Sequence, residues 1–275
     1  MAVITISHQM GAGGPEIGMK LGQKLGYRYV DQELVLDVAR RYGVAEDKLS
    51  HLDESKPTLF ERFDTETRYY ITILQTSLLD FAEMDNAVLM GRGGQWLLRG
   101  IPHVFRVRVI APFEIRVKRW IKRTADMTGE TPTQRAAADF VRRDDAEKAG
   151  RMRYLYEVDL ADPMLYDMTL STERLTYDAA VEMISTAVNR PEMTSSDIAR
   201  RNVASRALAS RVQVALAINA ETRRYRISVE SDDGVVTLEG TGALERAVEV
   251  ARDVPGVRVV TTRQLEVPPI PPFVA

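Results

Sequence analysis

Residues 4–26, ITISHQMGAGGPEIGMKLGQKLG, constrain the fold more than any other stretch of the 275-residue chain. A short apolar strand over residues 3–6 runs into a glycine turn, Gly11-Ala12-Gly13-Gly14. Pro15 follows, with the fixed φ that suits a first helical position. Ile17, Leu21 and Leu25 then recur at i, i+4 and i+8, one face of a helix. Strand, glycine turn and helix N-terminus in succession make an anion site. Glycines let the backbone approach a ligand, and the first N–H groups and the helix dipole favour negative charge. The same arrangement also serves as a plain strand–helix turn that binds nothing.

Set against the phosphate-binding pattern G-x-x-x-x-G-K-[ST], the stretch departs at three places. With Gly13 as the last glycine, His8 stands at the first, Gly14 replaces the lysine and Pro15 replaces the Ser/Thr.

Composition removes several function classes. A net charge of −2 gives no general field for nucleic acid or an anionic membrane. There is no cysteine, so thiolate metal sites, disulfides and cysteine nucleophiles are absent, and His8, His51 and His103 have no metal-ligand spacing. No metal centre is expected. The N-terminus lacks the pattern of a signal peptide, and no stretch of about 18 apolar residues is present. A cytoplasmic protein without a transmembrane segment is expected, and the sequence leaves open whether it is a monomer or a homo-oligomer.

Beyond the glycine turn, strands and helices alternate through residue 190, which predicts a doubly wound parallel α/β sheet. A short strand over residues 27–29 delivers Asp31 to a loop, where it suits the cap of the helix read over residues 32–41 (Leu34 and Val38 inward). Phe63, Thr67, Tyr70, Ile71, Leu74, Leu78 and Phe81 form a helical stripe that reads as core. Arg62 and Arg68 lie beside it, as solvated charges or facing a ligand. Ala87–Met90 reads as a strand buried on both faces. It ends at Gly91-Arg92-Gly93-Gly94, where an arginine between glycines is placed to grip a phosphate. Val104–Ile110 is a further strand, with Arg106 and Arg108 awkwardly on one face, which calls for an open face or an acidic partner. A helix from Pro112 carries Arg116, Arg119, Lys122 and Arg123, and Thr131-Pro132-Thr133-Gln134 reads as a capping box with Thr131 as cap. The second helix carries Arg143 and Arg151, with Asp144 and Asp145 able to hold the guanidiniums. A strand over 165–170 and a helix over 177–189 complete this part.

A polar linker is expected at 191–199. Residues 200–268 change rhythm to α-β-β-α-β, with an amphipathic first helix (Val203, Ala207, Leu208, Val212, Ala215, Leu216), a turn at Asp232-Asp233-Gly234, and a last strand over 257–267. This part has no acid–base pair and no phosphate loop, so it reads as a partner- or ligand-binding module. The tail 269–275, with its Pro268-Pro269-Ile270-Pro271-Pro272 entry, is an extended exit that is inert or meets a partner.

The ordered set ITISHQMGAGGPEIG, Leu25-Gly26-Tyr27-Arg28-Tyr29-Val30-Asp31, Gly91-Arg92-Gly93-Gly94, APFEIRVKR from Ala111, Arg143-Asp144-Asp145 with Arg151, and Tyr166-Asp167-Met168 resembles the cytidylate kinase-like family over roughly residues 1–190. That resemblance implies a P-loop kinase fold with a helical lid, and phosphoryl transfer from ATP, as its Mg²⁺ complex, to a (d)CMP-type acceptor. It implies that Gly11, Ala12, Gly13 and Gly14 cradle ATP phosphates and that Asp31 and Arg92 hold the acceptor. Arg116, Arg119, Arg123, Arg143 and Arg151 would offset charge in the transition state. The family's own loop lacks the lysine, whereas its usual arginine after the glycines is here Pro15, and the aspartate of its G-R-D is here Gly93. The alternative reading is a catalytically weak or inactive nucleotide-binding protein that signals through the C-terminal module. That module resembles a BON domain, carried by Asp233-Gly234-Val235-Val236-Thr237-Leu238-Glu239-Gly240 and Val254-Pro255-Gly256-Val257. Such a domain implies a protein or small-ligand partner.

Overall fold

The computed structural model describes residues 2–31, 65–240 and 242–264. The helix read over 32–41, Arg62, Phe63, the side chains of Thr67 and Arg68, and the proline-rich tail lie outside what is described.

Strand β1 (Val3–His8) is the centre of a parallel five-stranded sheet. The order is β2 (Arg28–Val30), β3 (Ala87–Met90), β1, β4 (Val104–Ile110) and β5 (Met168–Ser171). Register places Ile4 beside Val88 and Phe105, and Ile6 beside Met90 and Val107. Alternation along β1 feeds two layers. Ile4 and Ile6 pack with Ile17 and Leu21 of helix α1 (Gly14–Leu25) and Ile184 of the later helix 177–188, while Val3 joins the opposite layer under residues 65–98. Each such fully buried branched side chain contributes about 1.5–3 kcal/mol.

That opposite layer is made by α2 (Thr65–Glu83) and the short α3 (Gly94–Leu97). Tyr70, Leu74, Leu78 and Phe81 of the predicted stripe are buried in it. After β4, α4 (Phe113–Thr128) and α5 (Gln134–Tyr156) form a hairpin with its own small core, Val117, Ala137 and Val141, against which Met10 of the glycine turn packs. Helix α6 (Tyr177–Val188) closes this part of the chain.

The C-terminal part is α7 (Asp197–Ile218), β6 (Ile227–Asp232), β7 (Val235–Gly240), α8 (Leu244–Arg252) and β8 (Val259–Gln264). Its separate sheet runs β6–β7–β8, antiparallel then parallel. Asp233 and Gly234, both at positive φ, make the two-residue hairpin turn.

Several sequence expectations are corrected. Thr133, not Thr131, caps α5: its hydroxyl accepts from the Ala136 amide, and Pro132 stays outside the helix. The last strand of the large sheet begins at Met168, because Pro163–Leu165 form a 3-10 turn. The expected linker is largely structured. Pro191–Met193 form a second such turn, Ser196 caps α7, and Ser195 donates to Asp85 at 2.8 Å. Helix α7 is not simply amphipathic. Val203, Ala207 and Val214 are buried in the layer of α2, whereas Leu208, Val212 and Leu216 belong to the core of the small sheet. Both faces of one helix are thus covered, and it joins the two parts of the chain. Across the α2–α7 seam the Thr76 and Ser210 hydroxyls share a buried hydrogen bond of 2.5 Å, and Arg211 pairs with Asp80 and Glu83. The two arginines of β4 find their places differently. Arg106 makes a two-point pair with Asp167, the acidic partner its position calls for, and Arg108 is buried with its guanidinium on the Ser7 hydroxyl at 2.6 Å and near the Tyr166 ring.

Candidate active site

Parallel strands deliver their C-terminal ends to one edge of a sheet, and ligands bind there. Here β1 ends in the glycine turn, β3 ends in Gly91-Arg92-Gly93, and the α4–α5 hairpin stands beside both. A cleft of about 870 Å³ opens between them, lined among others by Gly11, Gly13, Arg92, Arg119, Lys148 and Arg151.

The glycine turn is shaped by contacts that only glycine allows. Gly11 (φ +78°) lies so close to the backbone of Arg116 that a Cβ would sit 2.5 Å from its carbonyl oxygen. Gly13 (φ +89°) caps α1, and a Cβ there would meet the Tyr177 ring at 2.3 Å. Pro15 is the second residue of α1 rather than the first. The Ala12 amide is used inside the turn, donating to Gln9 O, and Ile17 N is the donor that returns to Gly13 O. The amides of Gly13, Gly14 and Glu16 therefore precede the helical ladder, as expected at a helix start.

Position 14 carries a steric message. A Cβ on Gly14 would lie 2.4 Å from His8 Cγ. The imidazole occupies the space into which any side chain at position 14 would begin. Two of the three departures from the phosphate-loop pattern, His8 and Gly14, are thus one coupled feature. Burial first, then the positive charges of Lys148, Arg108 and Arg123, push the His8 pKa down from 6.5 to about 3. The ring is neutral at physiological pH, and its Nδ1 is buried without a hydrogen-bond partner. This sets an acid sensitivity. Between pH 6.5 and about 3 the unfolded chain takes up a proton that the folded His8 refuses. Stability from this residue is full above pH 6.5 and falls as pH is lowered, by up to about 1.4 kcal/mol per pH unit. His8→Gln should flatten that part of a urea-midpoint curve measured from pH 7 to pH 4. A pH-independent offset between variant and parent would refute it.

The predicted arginines divide. Arg119 lines the cleft, with its guanidinium anchored on Thr172 by bonds of 2.8 and 2.7 Å, and the Thr172 hydroxyl in turn donates to Ala12 O at 2.8 Å. Arg123 lines it too, facing Glu16 at 3.8 Å, and so does Arg151. Arg116 is instead buried. Its guanidinium donates to Ala111 O, Met10 O and Asp145, which fixes the glycine turn to α4 rather than presenting charge to the cleft. Arg143 is exposed and does not line the cleft. Gly11, Gly13 and Asp31 line the cleft, whereas Ala12 and Gly14 are buried behind the turn.

Arg92 lies at the other end, in a left-handed conformation (φ +55°) that is costly for a residue with a side chain. Its Nη1 donates to the Tyr70 hydroxyl at 3.4 Å. Burial chiefly, and the neighbouring Tyr70, raise the Tyr156 pKa, while Arg151 and Arg92 pull it down. All four side chains line the cleft. A Cβ on Gly93 would be 3.2 Å from the Tyr156 ring and 3.4 Å from Met152 Sδ, so Tyr156 fills the room that an aspartate following the arginine would need. Lys148 and Tyr156, both on α5, were not among the residues singled out from sequence. Lys148 is the last lysine of the chain, but only the fold shows that it lines the cleft, paired with Asp144.

A parallel sheet ordered 2-3-1-4-5, with a glycine turn after its central strand and a basic helical hairpin beside it, is the fold of P-loop kinases. The chain belongs to the cytidylate kinase-like family, whose model matches residues 3–174. Residues 205–269 match the BON domain model. Relatives include a cytidylate kinase of Natronomonas pharaonis, 28% identical over 189 residues, or 68% of this chain and 89% of the relative. A cytidylate kinase of Methanocaldococcus jannaschii is 24% identical over 190 residues, or 68% of this chain and 97% of the relative. An uncharacterized protein from Eubacterium ventriosum shares the fold at a TM-score of 0.54 and 17% identity, covering 69% of this chain and all of that one. No described helix is long and apolar enough to cross a membrane.

Proposed function

We propose that the chain is an ATP-dependent nucleoside monophosphate kinase. The observation that carries this reading is the polarity of the cleft: a glycine turn at one end, Arg92 with Tyr70 and Tyr156 at the other, and cations of α4 and α5 between them. The donor phosphates lie on the amides that precede the α1 ladder. The acceptor phosphate is held by Arg92 and Arg151, with Asp31 lining the same cleft. An acceptor phosphate oxygen forms the new bond to the γ-phosphorus as the bond to the β–γ bridging oxygen breaks, and the electron pair leaves with ADP. That oxygen is already ionised at neutral pH, so no protein base is required. The chain's task is positioning and charge stabilisation. Arg119 and Arg123 do the latter from α4, and the α4–α5 hairpin excludes water as a lid.

The donor set suits Mg²⁺ only as part of the nucleotide complex. Among the described residues no three His, Asp or Glu side chains converge, so the nucleotide's phosphates would hold the ion, and the acids of the cleft wall are Glu16, Asp31, Asp126 and Asp144. The ion would neutralise charge on the phosphates. The loop performs without the lysine and hydroxyl of the usual P-loop.

Calorimetric titration with ATP, with and without Mg²⁺, followed by ADP formation with CMP, dCMP and UMP, tests the reading. Turnover of one monophosphate is expected. Arg92→Met should raise the acceptor KM by roughly 10–100-fold and leave ATP affinity unchanged. Binding of ATP without any turnover would favour the alternative of a nucleotide-binding regulatory protein. No ATP binding at millimolar concentration would overturn both.

A further inference from the structure

We infer that Thr172, the residue that follows β5, is a positioning residue for phosphoryl transfer: its hydroxyl sets the Arg119 guanidinium against the glycine turn. This rests on the kinase reading above, in which Arg119 stabilises charge on the transferring group. A threonine hydroxyl has one hydrogen to give and lone pairs that accept, and that of Thr172 uses both. It donates to Ala12 O at 2.8 Å, and Arg119 Nη1 donates to it at 2.8 Å. Nη2 of the same guanidinium donates to the Thr172 carbonyl oxygen at 2.7 Å. One residue thus grips the planar fork at two points and ties it to the turn.

Both ends of this link are fixed. Thr172 is buried, and its amide donates to Ile110 O of β4 at 2.9 Å, so the sheet carries the anchor. Ala12 is buried too, and its own amide donates to Gln9 O inside the turn. Tyr177 adds a second surface: its ring lies against Gly13, and the Arg119 guanidinium is 5.6 Å from its centroid. The other cations of α4 on the cleft wall are held more loosely. Lys122 is exposed, and Arg123 is exposed and 3.8 Å from Glu16. A guanidinium placed before the nucleotide arrives stabilises charge without reorganising at the moment of reaction. The anchor uses one N–H of each Nη, which leaves the second N–H of each and that of Nε for phosphate oxygens. Valine matches the shape of threonine but can neither accept from Arg119 nor donate to Ala12, whereas serine can do both.

The test is a double-mutant cycle on the full chain: parent, Thr172→Val, Arg119→Met and the double variant, with Thr172→Ser beside them. For each, kcat and acceptor KM are measured with whichever of CMP, dCMP and UMP the parent turns over, together with a thermal melt. Arg119→Met should lower kcat by roughly 10²–10³. Thr172→Val should lower it by roughly 10–100-fold, with acceptor KM unchanged, and Thr172→Ser should recover most of that loss. In the Arg119→Met background the same Thr172→Val change should alter kcat by less than about threefold, because the group it positions is gone. A loss that comes only from a weakened fold would appear equally in both backgrounds, and that result would overturn the inference even where the melts shift. A Thr172→Val kcat within about threefold of the parent, with the Arg119→Met loss intact, would overturn it while the kinase reading stands. A parent that turns over none of the three monophosphates removes the kinase reading and this inference with it.

Discussion

Removing residues 191–275 is expected to lower the melting temperature of the remaining chain by about 10–20 °C. Val203, Ala207 and Val214 of α7 are buried in the same layer as Leu78, Leu79 and Phe81 of α2. Returning the faces of three to four apolar residues to water costs about 5 kcal/mol, and 1 kcal/mol shifts a melt by about 2–4 °C at this size. The deletion also removes the Ser210 hydroxyl from Thr76 and leaves Asp80 and Glu83 without Arg211. The Methanocaldococcus relative is 97% spanned by its match to this kinase part, so a kinase domain of this kind need not carry such a helix. The dependence is a property of the α2 surface in this chain. Ala207→Glu tests the same seam in the intact protein by placing a carboxylate where no exposure remains, and its melt should fall by a similar amount. A deletion that moves the melt by less than 3 °C would show that α7 merely rests on α2.

The second large effect is expected at Gly11. Gly11→Ala puts a Cβ 2.5 Å from the carbonyl oxygen of Arg116, a backbone atom that cannot swing aside, at a φ of +78°. Arg116 is itself fastened to Met10 and Asp145, so the glycine turn must move. A displacement near 1 Å at a phosphate site costs on the order of 10²-fold in turnover. Gly100→Ala is the matched control. It has nearly the same φ, +77°, and nothing within 4 Å of the added carbon. It should lose about 1 kcal/mol of stability and keep its nucleotide affinity. Equal effects of the two substitutions on ATP binding would mean that backbone strain, not the Arg116 contact, decides the loop's position.

Much of the architecture was legible because the signals were local. The Ala87–Met90 and Val104–Ile110 strands, the α2 stripe and a turn within Asp232-Asp233-Gly234 are read from periodicity and turn chemistry, which depend on near neighbours. What was missed depends on contacts far apart in sequence. Helix α7 looked one-sided because Val203 and Leu208 are both apolar, and nothing local says that they face different sheets. Arg116 and Arg119 are three residues apart and looked equivalent, yet one ties down carbonyls and the other lines the cleft. One miss was local: Thr131 was read as the cap of α5, and the structure caps it with Thr133, after Pro132. The lining of the candidate site was half legible. Gly11, Gly13, Asp31, Arg92, Arg119, Arg123 and Arg151, expected there from sequence, do line the cleft. That His8 fills the space beside Gly14, and that Lys148 and Tyr156 join the lining, emerges only when strands β1 and β3 and helix α5 meet.

The placement of β1 in the middle of the sheet has a consequence for biosynthesis. Strand β1 precedes both of its sheet neighbours, β3 and β4, in the chain, and neither exists when it emerges. Val3 pairs with Ala87 and Val104, so 84 further residues separate it from its earlier partner. At roughly 5–20 residues per second, the largely apolar run Val-Ile-Thr-Ile stands without a ladder for about 4–17 s, an unpaired strand open to other chains until β3 is made.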